Sequence, residues 1–420
     1  MTIASPAATP ARFTDAADAQ RVAGTFDLRA IGPDFIANPY PTYNALREHA
    51  AIARMPDGSY FLSAYEDCIT AYKDARIFSS DKKAEFRPKF GDGLLYQHHT
   101  TSLIFNDPPL HTRVRKIIAG ALNARAVADM EAPMVALVDQ LLDALEARGH
   151  GDLIADLAAP VPIEVIGNLL AIPHELRHPL RDWSLAILGA LEPQPGPQLL
   201  AAGERAIAEF LDYLRQLVAE RRRKPGDPAR DVLTRLIVGE QGGEKLTEIE
   251  LLQNVIFILN AGHETTTNLI GNGLYTLLEW PEQRARLLAD PSLITTAVEE
   301  MLRFESPVQI GNRMTTEAVT VGGVALAPRT FVTIGIAAAN RDPKEFADPD
   351  RFDVGRTHNR HVAFASGVHF CVGLNIARME GRIAIGRFLR RFPKYRLNGE
   401  AQRGGRARFR GFLSIPVALQ

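Results

Sequence analysis

Cysteine is nearly missing from this chain: 420 residues hold two, Cys68 and Cys371. Two thiols exclude a disulfide framework, and they also exclude an iron–sulfur cluster, which takes about four thiolates. Neither cysteine has a Cys/His partner at zinc-site spacing, so a structural zinc is excluded as well. Charge of one sign is absent: 48 Lys+Arg against 49 Asp+Glu leave a net charge of −1. Such a balance argues against a general affinity for nucleic acid or for an anionic membrane. No apolar run approaches the ~18 residues that span a bilayer, so no membrane anchor is expected. Residues 1–25 are rich in Ala, Thr and Pro and lack a basic start with an apolar core; they read as a flexible tail rather than a signal peptide. Free thiols place the protein in a reducing cytoplasm. Length alone allows two or three domains. No Gly/Ser linker, charge run or repeat marks a boundary, however, and residues 26–420 read as a single domain.

What is present is mostly helical pattern. Periodic apolar segments predict helices over 65–76, 109–123, 127–147, 161–171, 174–190, 197–222, 228–239, 248–279, 281–289, 292–304 and 372–391. Strand-like stretches are short, at 59–65 and in the alternating run 314–333, where Gly-Gly and Ala-Pro make the turns. The class is mostly α, with a small β-rich lobe. Segments 81–106 and 340–370 read as long irregular loops, which inside a compact protein are usually functional.

Cys371 stands in Phe364-Ala-Ser-Gly-Val-His-Phe-Cys371-Val-Gly373, just before a helical run. An isolated cysteine is most often a small buried hydrophobe, and Cys68 reads that way. At a helix N-terminus, however, free N–H groups and the dipole favour the thiolate. One thiolate suits a metal that brings its other ligands, as haem iron does. In that case Gly367 and Gly373 let the backbone approach and turn, Phe364 covers the sulfur, and His369 reaches a haem propionate.

The second stretch is the predicted helix 248–279. Thr247 and Glu250 form a capping box, Leu246 and Leu251 the hydrophobic staple, and Pro281 stops it. Its first half is apolar nearly all round, which requires burial. The pattern then breaks at Asn260-Ala-Gly-His-Glu-Thr-Thr-Thr267. A mid-helix Gly costs about 1 kcal/mol, and a buried carboxylate costs more unless paired. A solvent channel or an interhelix network would account for these polar groups; so would a functional site.

The cysteine stretch resembles the haem-binding loop of the cytochrome P450 family, and Ala261-Gly262-x-Glu264-Thr265 resembles its distal helix. The usual loop has Gly where this chain has Ala365; if that position takes a positive φ, Ala strains the turn. Further matches are Glu300-x-x-Arg303, which in isolation means little, and Asp107-Pro-Pro-Leu-His111-Thr-Arg-Val-Arg115. The resemblance runs from about Asp34 to Pro416. It implies a haem-thiolate monooxygenase holding haem b, with Cys371 as the iron ligand and Gly262 giving room beside the haem. Thr265 and Glu264 supply protons as dioxygen is activated, and His111, Arg115, Arg313 and His369 anchor the propionates. Glu300 and Arg303 lock the scaffold, with Arg351 as a third member. It also implies a monomer that takes electrons from a separate ferredoxin or flavodoxin with its reductase, docking near Arg113, Lys116, Arg378 and Arg382. The substrate is a hydrophobic small molecule, met by Leu259, Val308 and Phe412. Local likeness to relatives that demethylate aromatic acids makes His99, Ser102 and Gln309 candidate carboxylate holders, with hydroxylation of a terpenoid or fatty acid as the alternative. A peroxide-driven peroxygenase and a haem gas sensor are the rival functions.

Overall fold

The structure, a computed structural model, describes residues 11–419 apart from 123, 229–230 and 242–243. Its axis is one unbroken helix, Glu248–Glu279. Both halves of the capping box are made: the Thr247 hydroxyl accepts from Glu250 N, and Glu250 Oε2 accepts from Thr247 N at 2.9 Å. The two apolar halves of this helix enter different cores. Leu251, Leu252, Val255, Ile256 and Leu259 pack with the helices Leu180–Gly189 and Pro197–Arg223. Leu269, Ile270, Leu274 and Leu277 pack with Ile294–Phe304 and with Leu374–Arg391, the helix that follows Cys371. The polar break at 260–268 thus falls between two cores, where a helix can be buried and still face a site.

The β-rich lobe is a five-stranded sheet in the order Ile52–Arg54, Tyr60–Leu62, Phe331–Gly335, Ile310–Thr315, Phe78–Ser79. Only the pairing of 331–335 with 60–62 is parallel. Residues 322 and 323, both Gly at positive φ, make the tight turn between Val319–Val321 and Val324–Leu326. Near the C-terminus, Gln402–Arg403 pairs with Phe412–Ser414 as a hairpin against the central helix. Among the described residues no single helix is long and apolar enough to cross a membrane.

Two expectations are corrected. The tail does not extend to residue 25, because Ala16–Gly24 is a helix capped by Asp15 that buries Ala19 and Ala23 against Tyr40–His49. Segment 81–106 is not irregular: it forms Lys83–Phe90 and Leu94–Thr101. The second of these is capped from far away in sequence. Glu204 accepts from Leu94 N at 2.9 Å and from Leu95 N at 3.1 Å. Gly93 leaves the room for that carboxylate, since a Cβ there would lie 2.2 Å from Glu204 Oε1. Segment 340–370 is irregular as expected, apart from one 3₁₀ turn at Gly367–His369.

Candidate functional site

The cysteine loop is shaped by local geometry. Phe370 N donates to Gly367 O at 3.1 Å and Cys371 N to Phe364 O at 3.0 Å, folding the loop back on itself. Gly367 has φ +68°, and a Cβ there would meet Tyr72 O at 2.4 Å, so glycine is required twice over. Ala365 does take a positive φ, +58°. An L-residue in the left-handed region costs roughly 1–2 kcal/mol, while glycine gives back about 0.4–1 kcal/mol through the freer unfolded chain. Ala365→Gly is therefore expected to stabilise the protein by up to about 1 kcal/mol. Urea denaturation checks this, and a lowered midpoint would show that the methyl's packing outweighs the strain.

Cys371 sits just before the helix Leu374–Arg391, with Phe364 buried beside it in the same core. Burial pushes its thiol pKa up, opposed by the Gly373 N–H and by the Arg115 and Arg378 guanidiniums. Desolvation thus outweighs the helix-end effect expected from sequence. A cation at the sulfur would reverse that balance. Gly373 itself has an ordinary φ of −91°, and no protein atom lies within 4 Å of where its Cβ would stand.

Beside the loop the structure brings together His111, Arg115, Arg313 and His369. The two imidazole centroids are 4.2 Å apart. Both nitrogens of His111 and Nε2 of His369 are buried without a hydrogen-bond partner. Burial, then Arg115, holds His111 to about 4; burial, Arg313, His111 and Arg115 hold His369 to about 2. Arg313 is buried over the Tyr72 ring, and Arg115 donates to Phe370 O at 2.5 Å. Unpartnered imidazole nitrogens beside one buried and one partly exposed guanidinium make a site that calls for an anion.

On the central helix Ala261 is exposed and Gly262 and Thr265 are partly so, whereas His263, Glu264, Thr266 and Thr267 are buried. Thr265 Oγ1 donates to Ala261 O at 2.7 Å, along the face those two residues share. Gly262 has a packing reason to be glycine. Its Cβ would lie 2.4 Å from Ile166 Cδ1 on the helix Pro160–Leu169. It is a packing glycine, and the helix is α-helical through it without a break. Glu264 pairs with Arg406 at 2.5 Å.

The Glu300–Arg303 pair is fully buried and bidentate, with both bonds at 2.7 Å. Its third member is Arg356 rather than Arg351. Arg356 Nε reaches Glu300 Oε2 at 3.0 Å, while Arg351 contributes only its carbonyl, 3.2 Å from Arg303 Nη2. Arg303 also donates to Asn340 O and Pro349 O, so these two guanidiniums serve the backbone of the irregular segment.

Other candidate residues are not brought together. His99 is buried in an aromatic cluster with Phe86, Phe90 and Phe105, its pKa lowered well below the usual imidazole range by burial. The Ser102 hydroxyl donates to His98 O at 2.7 Å, and Gln309 Nε2 to Ser306 O at 2.7 Å. Leu259 is core, Val308 bridges to Phe409, and Phe412 lines a small cavity with Glu264. Of the docking candidates, Arg378 is held bidentately by Glu299 at 2.7 Å on both nitrogens, and Arg113 pairs with Glu250. Lys116 and Arg382 are exposed.

Residues 195–401 match the family model "Cytochrome P450". The chain is 39% identical over 386 residues to cytochrome P450 107B1 of Saccharopolyspora erythraea, covering 88% of this chain and 92% of that one. The chain belongs to the cytochrome P450 family. Vitamin D(3) 25-hydroxylase of Pseudonocardia autotrophica is 38% identical over 367 residues, covering 86% and 88% of the two chains. P450BioI, solved in complex with hexadec-9Z-enoic acid ligated acyl carrier protein, superposes with a TM-score of 0.86 at 32% identity, over 92% of this chain and 99% of that one. This cytochrome P450 is accordingly a haem-dependent monooxygenase, an oxidoreductase. The residues fit the haem: a half-buried thiol stands in a loop that Arg115 bonds, with an anion-seeking cluster of buried, unpartnered imidazole nitrogens beside it.

Sequence reasoning missed Arg356 and Arg406. The basic run 403–410 looks like a solvated surface, yet its arginines are inside or paired. Arg410 is buried against Glu305, Arg408 donates to Asn312 Oδ1 at 2.6 Å, and Arg403 lies over Phe412 at 3.9 Å. Their common spacing of two or three residues on a hairpin was the available signal.

Proposed function

We propose that this cytochrome P450 inserts one oxygen atom of O2 into a bulky, largely apolar organic molecule, drawing electrons from a separate ferredoxin or flavodoxin. The reading is carried by one observation: the acid–alcohol neighbours Glu264 and Thr265 stand in the polar stretch between the two apolar cores that bury the halves of this helix. When bound, haem b supplies the redox-active iron at which O2 is reduced and oxygen is delivered to the substrate.

The protein's residues supply the rest. Cys371 ligates the metal, with Phe364 and the Gly373 N–H setting the surroundings of its sulfur. His111, Arg115, Arg313 and His369 take the propionates. Net monooxygenation consumes two protons and two electrons per O2, releasing one oxygen atom as water. Glu264 brings those protons to the Thr265 side of the helix, where the hydroxyl passes them on. The donor docks over Lys116 and Arg382, beside the exposed Val368 and Phe370. Arg378 is satisfied by Glu299 and lies outside this role. Residues from Ala16 onward form a single domain, acting as a monomer in the cytoplasm.

The substrate class follows from what the pocket residues lack. His99 lies enclosed among Phe86, Phe90 and Phe105, and Ser102 and Gln309 each donate to a backbone carbonyl, so an apolar substrate is the better reading. Vitamin D(3) and a hexadecenoyl chain, named for the relatives above, are both large and apolar. Screening the haem-loaded protein for a low- to high-spin shift tests this. Sterol-like and long-chain compounds are expected to give the shift and, with a ferredoxin and its reductase, a product one oxygen atom heavier. Shifts confined to small aromatic acids would overturn the substrate class, and turnover with peroxide alone would overturn the electron route.

A further inference from the structure

A cavity of about 30 Å³ lies between the central helix, the helix Leu180–Gly189 and the C-terminal hairpin. It is lined in part by Arg181, His263, Glu264, Asn268, Arg406 and Phe412. Several of its polar atoms are buried and without a protein partner: both ring nitrogens of His263, Oε2 of Glu264 and Nδ2 of Asn268. Groups so placed bind water in other proteins, and this volume admits two or so molecules at roughly 10–15 Å³ each. Glu264 is held at the cavity by one contact, Arg406 Nη1 to Oε1 at 2.5 Å, while Arg406 Nη2 donates to Leu185 O at 3.2 Å. The guanidinium thus ties the hairpin, the helix Leu180–Gly189 and the carboxyl together.

We propose that Arg406 is a positioning residue for proton supply, holding the Glu264 carboxyl in a small hydrated cavity through which protons enter from the hairpin side. The proposal rests on the reading of Glu264 and Thr265 as the proton-supplying pair. Twice in each cycle the Glu264 carboxyl gives its proton towards Thr265 and takes another from cavity water, which draws on solvent, so both protons are supplied and the side chain returns to its starting state. Four charged or titratable groups face it. Arg406 on the hairpin favours the carboxylate, and Glu192, after the helix Leu180–Gly189, favours the acid. Arg181 on that helix holds His263 of the central helix neutral, to about 3, with burial as the larger cause. Burial dominates for Glu264 and, against Arg406, pushes its carboxyl up to about 7. A group with that value holds a proton below neutrality and releases it above, as a relay requires.

The test is infrared difference spectroscopy of the haem-loaded enzyme against pH, the protonated carboxyl band being assigned by its loss in Glu264→Gln. The band is expected to titrate near pH 7 in the native protein. In Arg406→Gln burial is left unopposed, and the midpoint should rise by about one pH unit or more. Arg406→Lys, which keeps the charge, should stay near the native value and guards against a merely structural effect. Transfer to D2O should shift the native band at once. In His263→Phe, which fills the cavity, exchange is expected to slow about tenfold or more. An unmoved midpoint in Arg406→Gln, or unchanged exchange in His263→Phe, would overturn the proposal. Failure of the underlying reading is separable. If Glu264→Gln leaves the partition of electrons between product and peroxide intact, the pair is not the proton source, whatever Arg406 does.

Discussion

Arg303→Ala is expected to destabilise the protein by about 3–5 kcal/mol, the loss seen when one partner of a buried ion pair is removed. Arg303 and Glu300 are both fully excluded from solvent. Without Arg303 the Glu300 carboxylate keeps Arg356, Asn359 Nδ2 and Asp353 N, so its charge is not wholly stranded. The backbone fares worse. Asn340 O and Pro349 O lose donors at 2.9 and 2.8 Å, and Arg351 O loses one of its two. Those carbonyls belong to the irregular segment leading into the cysteine loop, which has no ladder to fall back on. Arg303→Lys is expected to recover less than half of the loss, because an ammonium cannot serve a bidentate carboxylate and three carbonyls at once. Urea denaturation with haem occupancy measured in parallel checks both. A cost below about 1 kcal/mol for Arg303→Ala would show that Arg356 suffices alone. Replacing the whole network by apolar residues is a different experiment, and it need not destabilise.

This network also shows what a sequence can tell and what it cannot. Glu300 and Arg303 are three apart on one helix, so their pairing follows from helix geometry. The third arginine comes from a segment without periodicity, where nothing ranks Arg351 above or below Arg356; only the path of the chain brings Arg356 to Glu300. The central helix was legible to its ends, because Thr247, Glu250 and Pro281 are local signals that act locally. The helix Leu94–Thr101 was not, since its N-terminus is satisfied by Glu204 from another helix. Ala365 lies between. Its strain could be stated as a condition on φ, and the structure supplies the φ.

The candidate site divides the same way. Cys371 and the Glu264-Thr265 neighbours announced themselves by breaking patterns, one as a lone thiol in a Gly-punctuated turn, the other as charge within a buried helix. Gly262 announced itself too, and the structure adds Ile166, a packing contact no spacing rule contains. The proposed carboxylate holders share a feature that composition hides. His99, Ser102 and Gln309 are polar side chains already satisfied or enclosed by near neighbours, and composition does not distinguish such groups from free ones. Arg378 is a similar case, its exposed-looking charge being met by Glu299.

Cys371→Ser carries the largest expected effect on function. A hydroxyl is a far weaker ligand than a thiolate, and no other Cys, nor any group of three His, Cys, Asp or Glu that could hold a metal, stands in for it among the described residues. Cys68 is fully buried and held protonated by burial, so it cannot substitute. Monooxygenase turnover is expected to fall below detection, while the fold persists because Ser is smaller than Cys, its hydroxyl can accept from the Gly373 N–H in place of the sulfur, and the loop's backbone–backbone bonds do not involve the side chain. The most direct measurement is the absorption spectrum of the reduced, carbon monoxide-bound protein, native and Cys371→Ser side by side. Thiolate ligation by Cys371 predicts a strongly red-shifted Soret band in the native protein and its loss in the variant. A native spectrum typical of imidazole-bound haem, or a red-shifted band that survives the substitution, would contradict the account.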